Sequence, residues 1–244
     1  MPFQRKKSGK TMHYIIRITS FISFSFLLLA AAGCGVSQRS AVNGGVSNKP
    51  LATPPAASNR PKIVAFGDSL TAGFGLLEKE SYPYLLQEKL NADGFDYEVV
   101  NAGVSGDTTL GGVERIDWVL GIDNVKILIL GLGANDLLRG MPVAKIKANL
   151  DKIIRKAKAK NVQVLLCGML APPTMGTEYQ REYTFVFPDL ATEHKTDFLP
   201  FLLENVALKK ELNQADGIHP NEAGAKIMAD NIYKALKPMI QRGQ

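Results

Sequence analysis

The chain has 244 residues, 45% of them hydrophobic and 21% charged, and a formal net charge of +6 from 29 Lys and Arg against 23 Asp and Glu. Five basic residues (Arg5, Lys6, Lys7, Lys10 and Arg17) and no acidic one precede Cys34, so the rest carries 24 against 23, and the basic balance gives no support for a nucleic-acid partner. With only two cysteines, Cys34 and Cys167, a disulfide framework is excluded.

The basic start is followed by an uncharged stretch over residues 18–32 and then Gly33-Cys34. A basic segment, about 15 apolar residues and small residues beyond them describe an export signal. The stretch is too short for a spanning helix, which needs roughly 20 apolar residues. Ala31-Ala32-Gly33-Cys34 resembles the lipobox of bacterial lipoproteins, with Ala31 where leucine is usual. That resemblance implies lipidation of Cys34 as the first mature residue, and anchoring of the chain to a membrane facing the periplasm. Gly35 lacks the aspartate that retains such proteins at the inner membrane, which favours the outer one. Residues 35–61 hold Asn43-Gly44-Gly45, Pro50 and Pro54-Pro55 with almost no large apolar side chain, so they read as a flexible tether spanning on the order of 30 Å. The expected division is a signal peptide over 1–33, a tether over 34–61 and a folded domain over 62–240.

Within that domain, short apolar runs at 63–66, 97–100, 125–130, 162–169 and 196–201 read as buried strands. Helical patterns fall between and after them, at 82–90, 110–120, 143–158, 179–192 and 221–236. In the third of these, Val143, Ile146, Leu150, Ile153, Ile154 and Ala157 follow one helical face. Its many Lys and Arg residues read as a solvated opposite face. Strands alternating with helices predict an α/β fold, a three-layer α/β/α sandwich around a mostly parallel five-stranded sheet. Cys167 falls in the fourth run and reads as a small buried hydrophobe.

In an open parallel sheet ligands bind beyond the carboxyl ends of the strands. Ser69 follows the first strand, Ser105-Gly106-Asp107 the second and Gly133-Ala134-Asn135-Asp136 the third, so all three polar clusters fall on that rim. Near the end of the chain, Asp216-Gly217-Ile218-His219-Pro220 places a carboxylate three residues before a histidine, ahead of the last helix. Ser69 as nucleophile, His219 as base and Asp216 as the group that orients the base are the parts acyl transfer needs. Backbone amides of Ser69 and Gly106 and the side-chain amide of Asn135 are candidate donors to an oxyanion. His194, in a polar stretch, reads as a solvated residue at a helix end.

Gly67-Asp68-Ser69-Leu70, Gly106 in its loop, Gly133-Ala134-Asn135-Asp136 and Asp216-Gly217-Ile218-His219-Pro220 resemble the four ordered blocks of the SGNH (GDSL) hydrolases. They span nearly the whole domain and are most similar to the branch of bacterial acyl-CoA thioesterases, lysophospholipases and arylesterases. The resemblance implies a flavodoxin-like fold, Ser69, His219 and Asp216 as the triad, and Ser69, Gly106 and Asn135 as the oxyanion hole. It also implies that Asp68 and Asp136 brace their loops.

Gly131-Leu132-Gly133 fails as a dinucleotide fingerprint because Asp136 takes the last glycine position, and no metal-binding pattern occurs, so neither cofactor nor metal is expected. Phe74, Leu76, Leu77, Met169 and Pro172 are candidates to line an acyl pocket, with ordinary loop packing as the alternative. A small acyl ester or thioester is the expected substrate and a monomer the expected state. The competing functions are a carbohydrate acetylesterase and a tethered binding protein without turnover.

Overall fold

The computed structural model describes residues 59–242. The expected signal segment, Cys34 and all of the tether before residue 59 lie outside them.

Five strands form one sheet: β1 (Lys62–Gly67), β2 (Glu98–Gly103), β3 (Val125–Gly131), β4 (Gln163–Cys167) and β5 (Asp197–Leu199). They are ordered β2-β1-β3-β4-β5, and every pairing is parallel. The central strands β1 and β3 supply the middle of the core. Ile63, Val64, Ala65, Phe66, Leu128, Ile129 and Leu130 are wholly buried, as residues covered on both faces must be.

The longer helices are α2 (Tyr82–Ala92), α3 (Thr109–Val119), α5 (Val143–Ala159), α6 (Thr177–His194) and α7 (Glu222–Arg242). α2 packs against α7, while α5 packs against α3 and α6. The two groups fall on opposite faces. From β1 the chain crosses to β2 on one side, then returns past β1 to β3 on the other, and right-handed crossovers in opposite directions put their helices on opposite faces. This reversal opens a crevice at the carboxyl ends of β1 and β3, where such folds bind ligands. The fold is the predicted three-layer α/β class.

Two short helices, α1 (Ser69–Ala72) and α4 (Ala134–Leu138), occupy stretches that read as loops. α6 and α7 both continue through an internal proline, Pro188 and Pro238. In α7, burial of Met239 and Ile240 beyond the proline keeps the last turns against the core. α7 begins after Pro220, with the Asn221 side chain accepting from Gly224 N at 3.1 Å.

Ile146, Leu150, Ile153, Ile154 and Ala157 of α5 are buried, as their spacing predicts. Its basic face is more engaged with the protein than a solvated stripe would be. Lys147 pairs with Asp189, Arg155 with Asp151 and Lys156 with Asp117, and Lys160 donates to Leu120 O. Each such exposed pair contributes little on its own, because water screens it.

His194 departs from its reading. It ends α6, but only 8% of its surface is exposed, and its Nε2 lies 2.7 Å from Asp151 Oδ1 on α5. A carboxylate on the adjacent helix makes burial of the ring tolerable. Cys167 is fully buried, and burial pushes its thiol up to about 12.

Candidate active site

β1 ends at Gly67 directly beneath α1. A Cβ there would stand 2.0 Å from Thr71 Oγ1 and 2.7 Å from Gly131 O, so only glycine lets the chain turn this tightly. Asp68 caps the helix, its Oδ1 accepting from Leu70 N at 3.0 Å. Ser69 is the first residue of α1, half-buried, with its backbone N–H in the first helical turn, where amides have no partner within the helix.

The loop after β2 carries Gly106 at φ +82°, and a Cβ added there would meet nothing within 4 Å. Glycine is therefore required by the left-handed backbone and not by crowding. The loop after β3 leads into α4, which presents Asn135. The Asn135 Nδ2 donates to Asp107 O at 2.9 Å and makes a longer contact, 3.4 Å, with Asp68 Oδ2. Next to it Asp136 is buried and accepts from both Thr109 N (2.8 Å) and Thr109 Oγ1 (2.7 Å), which ties α4 to the start of α3.

The loop before α7 brings the last two groups. An isolated antiparallel bridge between Asn213 and Pro220 closes the turn that contains them. Asp216 Oδ1 accepts from the backbone N–H groups of Ile218 and His219, both at 3.0 Å, and its Oδ2 lies 2.7 Å from His219 Nδ1. These hydrogen bonds, the one to the His219 side chain foremost, hold the Asp216 carboxyl down at about 2. With Asp216 ionised, Nδ1 carries the imidazole proton and Nε2 is free to accept. His219 Nε2 lies 2.9 Å from Ser69 Oγ, across 150 residues of sequence. The His219 ring also rests against Phe74, with centroids 4.6 Å apart.

Burial acts on Asp68 in the opposite sense. It is 1% exposed, and desolvation raises its carboxyl to about 6 despite the Leu70 amide.

A cleft of about 390 Å³ opens beside Ser69, Asn135 and His219. Leu137, Met169, Ala171, Pro172, Phe201 and Leu203 form much of its wall, and the lining is overwhelmingly apolar. The five side chains expected to share one acyl pocket are divided. Met169 and Pro172 line this cleft. Phe74 and Leu76 line a separate narrow crevice of about 10 Å³ behind Ser69 and His219, and Leu77 is 60% exposed and lines neither. The turn after α1 carries all three away from the cleft, because α1 is followed by Gly73 in the left-handed conformation. Leu203, Phe201 and Ile218, contributed by the β5–α7 connection, replace them.

Among the described residues, Asp151, Glu193 and His194 come close enough to share a metal ion. Arg155 hydrogen-bonds both carboxylates, so a cation already fills that role. Two polar residues in no recognisable motif touch the site loops: Gln214, which bonds Phe74 O, and Arg115, which bonds Gly67 O. Neither carries a local pattern that would have singled it out.

The GDSL-like Lipase/Acylhydrolase family matches residues 65–227, a span that includes all of these groups. The chain belongs to that family. Family members are hydrolases that act on ester bonds, and so is this chain. It is 38% identical over 178 residues to Esterase TesA of Pseudomonas aeruginosa, covering 73% of this chain and 89% of that protein. It is 34% identical over 178 residues to thioesterase 1/protease 1/lysophospholipase L1 of Escherichia coli (strain K12), covering 73% and 84%. Among solved structures it is similar to the psychrotrophic esterase EstA from Pseudoalteromonas sp. inhibited by monoethylphosphonate. The TM-score is 0.71 at 32% identity, over 74% of this chain and 98% of that one.

Proposed function

We propose that this family member is a serine esterase or thioesterase with preference for apolar acyl groups, working through an acyl-enzyme on Ser69. The observation that carries the reading is the unbroken line from Asp216 Oδ2 through both nitrogens of His219 to Ser69 Oγ, at 2.7 and 2.9 Å. His219 Nε2 takes the hydroxyl proton as Ser69 Oγ bonds the carbonyl carbon, and the carbonyl π pair moves onto oxygen. The Ser69 and Gly106 amides and Asn135 Nδ2 meet that negative oxygen. Collapse breaks the bond to the leaving alkoxide or thiolate, which receives the proton from His219. Water then repeats the sequence on the acyl-enzyme, releasing the acid and restoring Ser69. Asn135 Nδ2 faces Asp68 at 3.4 Å in the resting site, a bond long enough for a developing oxyanion to displace.

The apolar lining supports acyl chains over sugars. Leu138, Leu170, Leu208 and Ile218 line the cleft and are also exposed, so a hydrocarbon chain entering it meets apolar surface from the outset. A carbohydrate acetylesterase would need polar groups there. A panel of p-nitrophenyl esters of increasing length, run beside acyl-CoA and lysophospholipid, tests the preference. Labelling by a fluorophosphonate, located by peptide mass spectrometry, tests the nucleophile. A label on any residue other than Ser69, or none, would refute the assignment.

We further propose export, lipidation at Cys34 and a monomer tethered to the periplasmic face of a membrane, the outer membrane preferred. Support comes from the basic and apolar opening and from Ala31-Ala32-Gly33-Cys34. Several acyl chains on one cysteine anchor stably where a single chain does not. Fractionation of wild type and Cys34→Ala, with an intact mass for the mature protein, decides it. Wild-type protein found soluble, with no added mass at Cys34, would overturn this location.

A further inference from the structure

We propose that Arg115 is the positioning residue of the oxyanion hole. It rests on the oxyanion reading of Ser69, Gly106 and Asn135. Arg115 comes from α3, which contributes no side chain to the cleft, yet its guanidinium reaches three points around the site. Nη2 donates to Gly67 O at 2.8 Å, two residues before Ser69. Nη1 donates to Ala102 O at 2.7 Å, near the end of β2. Nε donates to Asp107 Oδ2 at 2.7 Å, on the residue that follows Gly106. The third candidate donor is reached through the same residue, because Asn135 Nδ2 bonds Asp107 O at 2.9 Å. One cation therefore ties together the chain beside Ser69 and the loop beside Gly106, and reaches the third donor, Asn135 Nδ2, through Asp107.

The fit is specific to arginine. The guanidinium lies over the Phe66 ring, 4.0 Å from its centroid, and its side chain is 19% exposed. A planar fork stacked on a ring directs its donors to fixed points, whereas an ammonium on a flexible stem reaches one or two of them. Arg115 also neutralises Asp107, whose side chain is 10% exposed. Left unpaired, that carboxylate would face the same loop in which an oxyanion must form. The guanidinium thus sets the geometry of the donors and removes a repelling charge.

The test uses Arg115→Lys, Asp107→Asn and Asn135→Ala, alone and combined. Each is assayed by steady-state kinetics, thermal unfolding and inhibition by an alkyl boronic acid, which forms a tetrahedral anion on serine. Arg115→Lys is expected to lower kcat about 10- to 100-fold with KM within about twofold, and to weaken the boronic acid by a similar factor. Added to Asn135→Ala, it should cost less than the product of the two single losses, because part of its effect runs through the donor that Asn135→Ala has already removed. Asp107→Asn, which retains the side-chain shape, should lose less than Arg115→Lys and add little to it. Arg115→Lys that keeps kcat within twofold, or that lowers melting temperature while boronic acid affinity stays at the wild-type value, would overturn the proposal. A full multiplicative loss with Asn135→Ala would do so as well. If Asn135→Ala itself leaves kcat unchanged, the oxyanion reading fails first, and the two failures are distinguished.

Discussion

The side-chain amide of Gln214 donates to Phe74 O at 2.7 Å, joining the turn after the Ser69 helix to the loop that carries His219, 140 residues later. The same nitrogen donates to Pro220 O at 2.9 Å, and Gln214 N donates to His219 O at 2.8 Å. With the Phe74 ring packed on the imidazole, Gln214 holds the two halves of the Ser69–His219 pair in register. Gln214→Ala should lower kcat about tenfold, since a misplacement of about 1 Å can cost up to 10² in rate. Stopped-flow rates of fluorophosphonate labelling at Ser69 check it. Wild-type labelling in the variant would show that the loop holds its place without this contact.

Ser69→Ala should abolish nearly all turnover, with a loss on the order of 10⁴–10⁶ in kcat. Ser69 is half-buried and its hydroxyl bonds His219, so the fold should be kept. Hydrolysis assays beside circular dichroism measure both. More than a tenth of the wild-type rate in a folded variant would exclude Ser69 as the nucleophile.

Asp68 makes the stability of the fold depend on pH. Its carboxyl rises from 3.8 to about 6 on folding, so between those values the native state binds more protons than the unfolded one. Stability from this group is therefore present at low pH and is lost as pH rises to about 6, at a cost of up to about 3 kcal/mol. Asp68→Asn should raise the melting temperature at pH 8 by several degrees, and change it little at pH 4. Calorimetry at the two pH values is the check, and an equal gain at both would show that charge burial is not the cause.

Acyl length should register in the cleft. Each methylene buried contributes about 0.8 kcal/mol, so kcat/KM should rise up to about fourfold per CH₂ until the space of about 390 Å³ is filled. Ala207→Phe narrows the wall, and should move the optimum to shorter esters while leaving acetate within about twofold. An unchanged length profile would place the acyl chain elsewhere.

What the sequence by itself determined is the set of elements and the end of the sheet on which the chemistry falls. Apolar runs stopped by glycine marked β1 and β3, and the one-sided spacing from Ile146 to Ala157 marked the buried face of α5, because local periodicity is imposed by which face must leave water. Ser69, Gly106, Asn135, Asp216 and His219 were legible because each belongs to a short string beside a strand or helix end. The helices α1 and α4 were not, being too short to show a period. His194 read as solvated because the carboxylate that allows its burial lies 43 residues away on α5. Phe74, Leu76 and Leu77 follow Ser69 closely in sequence, but the turn at Gly73 directs them away from the cleft, and the β5–α7 connection supplies Phe201, Leu203 and Ile218 instead. Only the tertiary structure decided these partners, and with them Gln214 and Arg115. A parallel sheet in the order β2-β1-β3-β4-β5 brings together strand ends far apart in the chain, and contacts formed at that distance leave no local pattern to read.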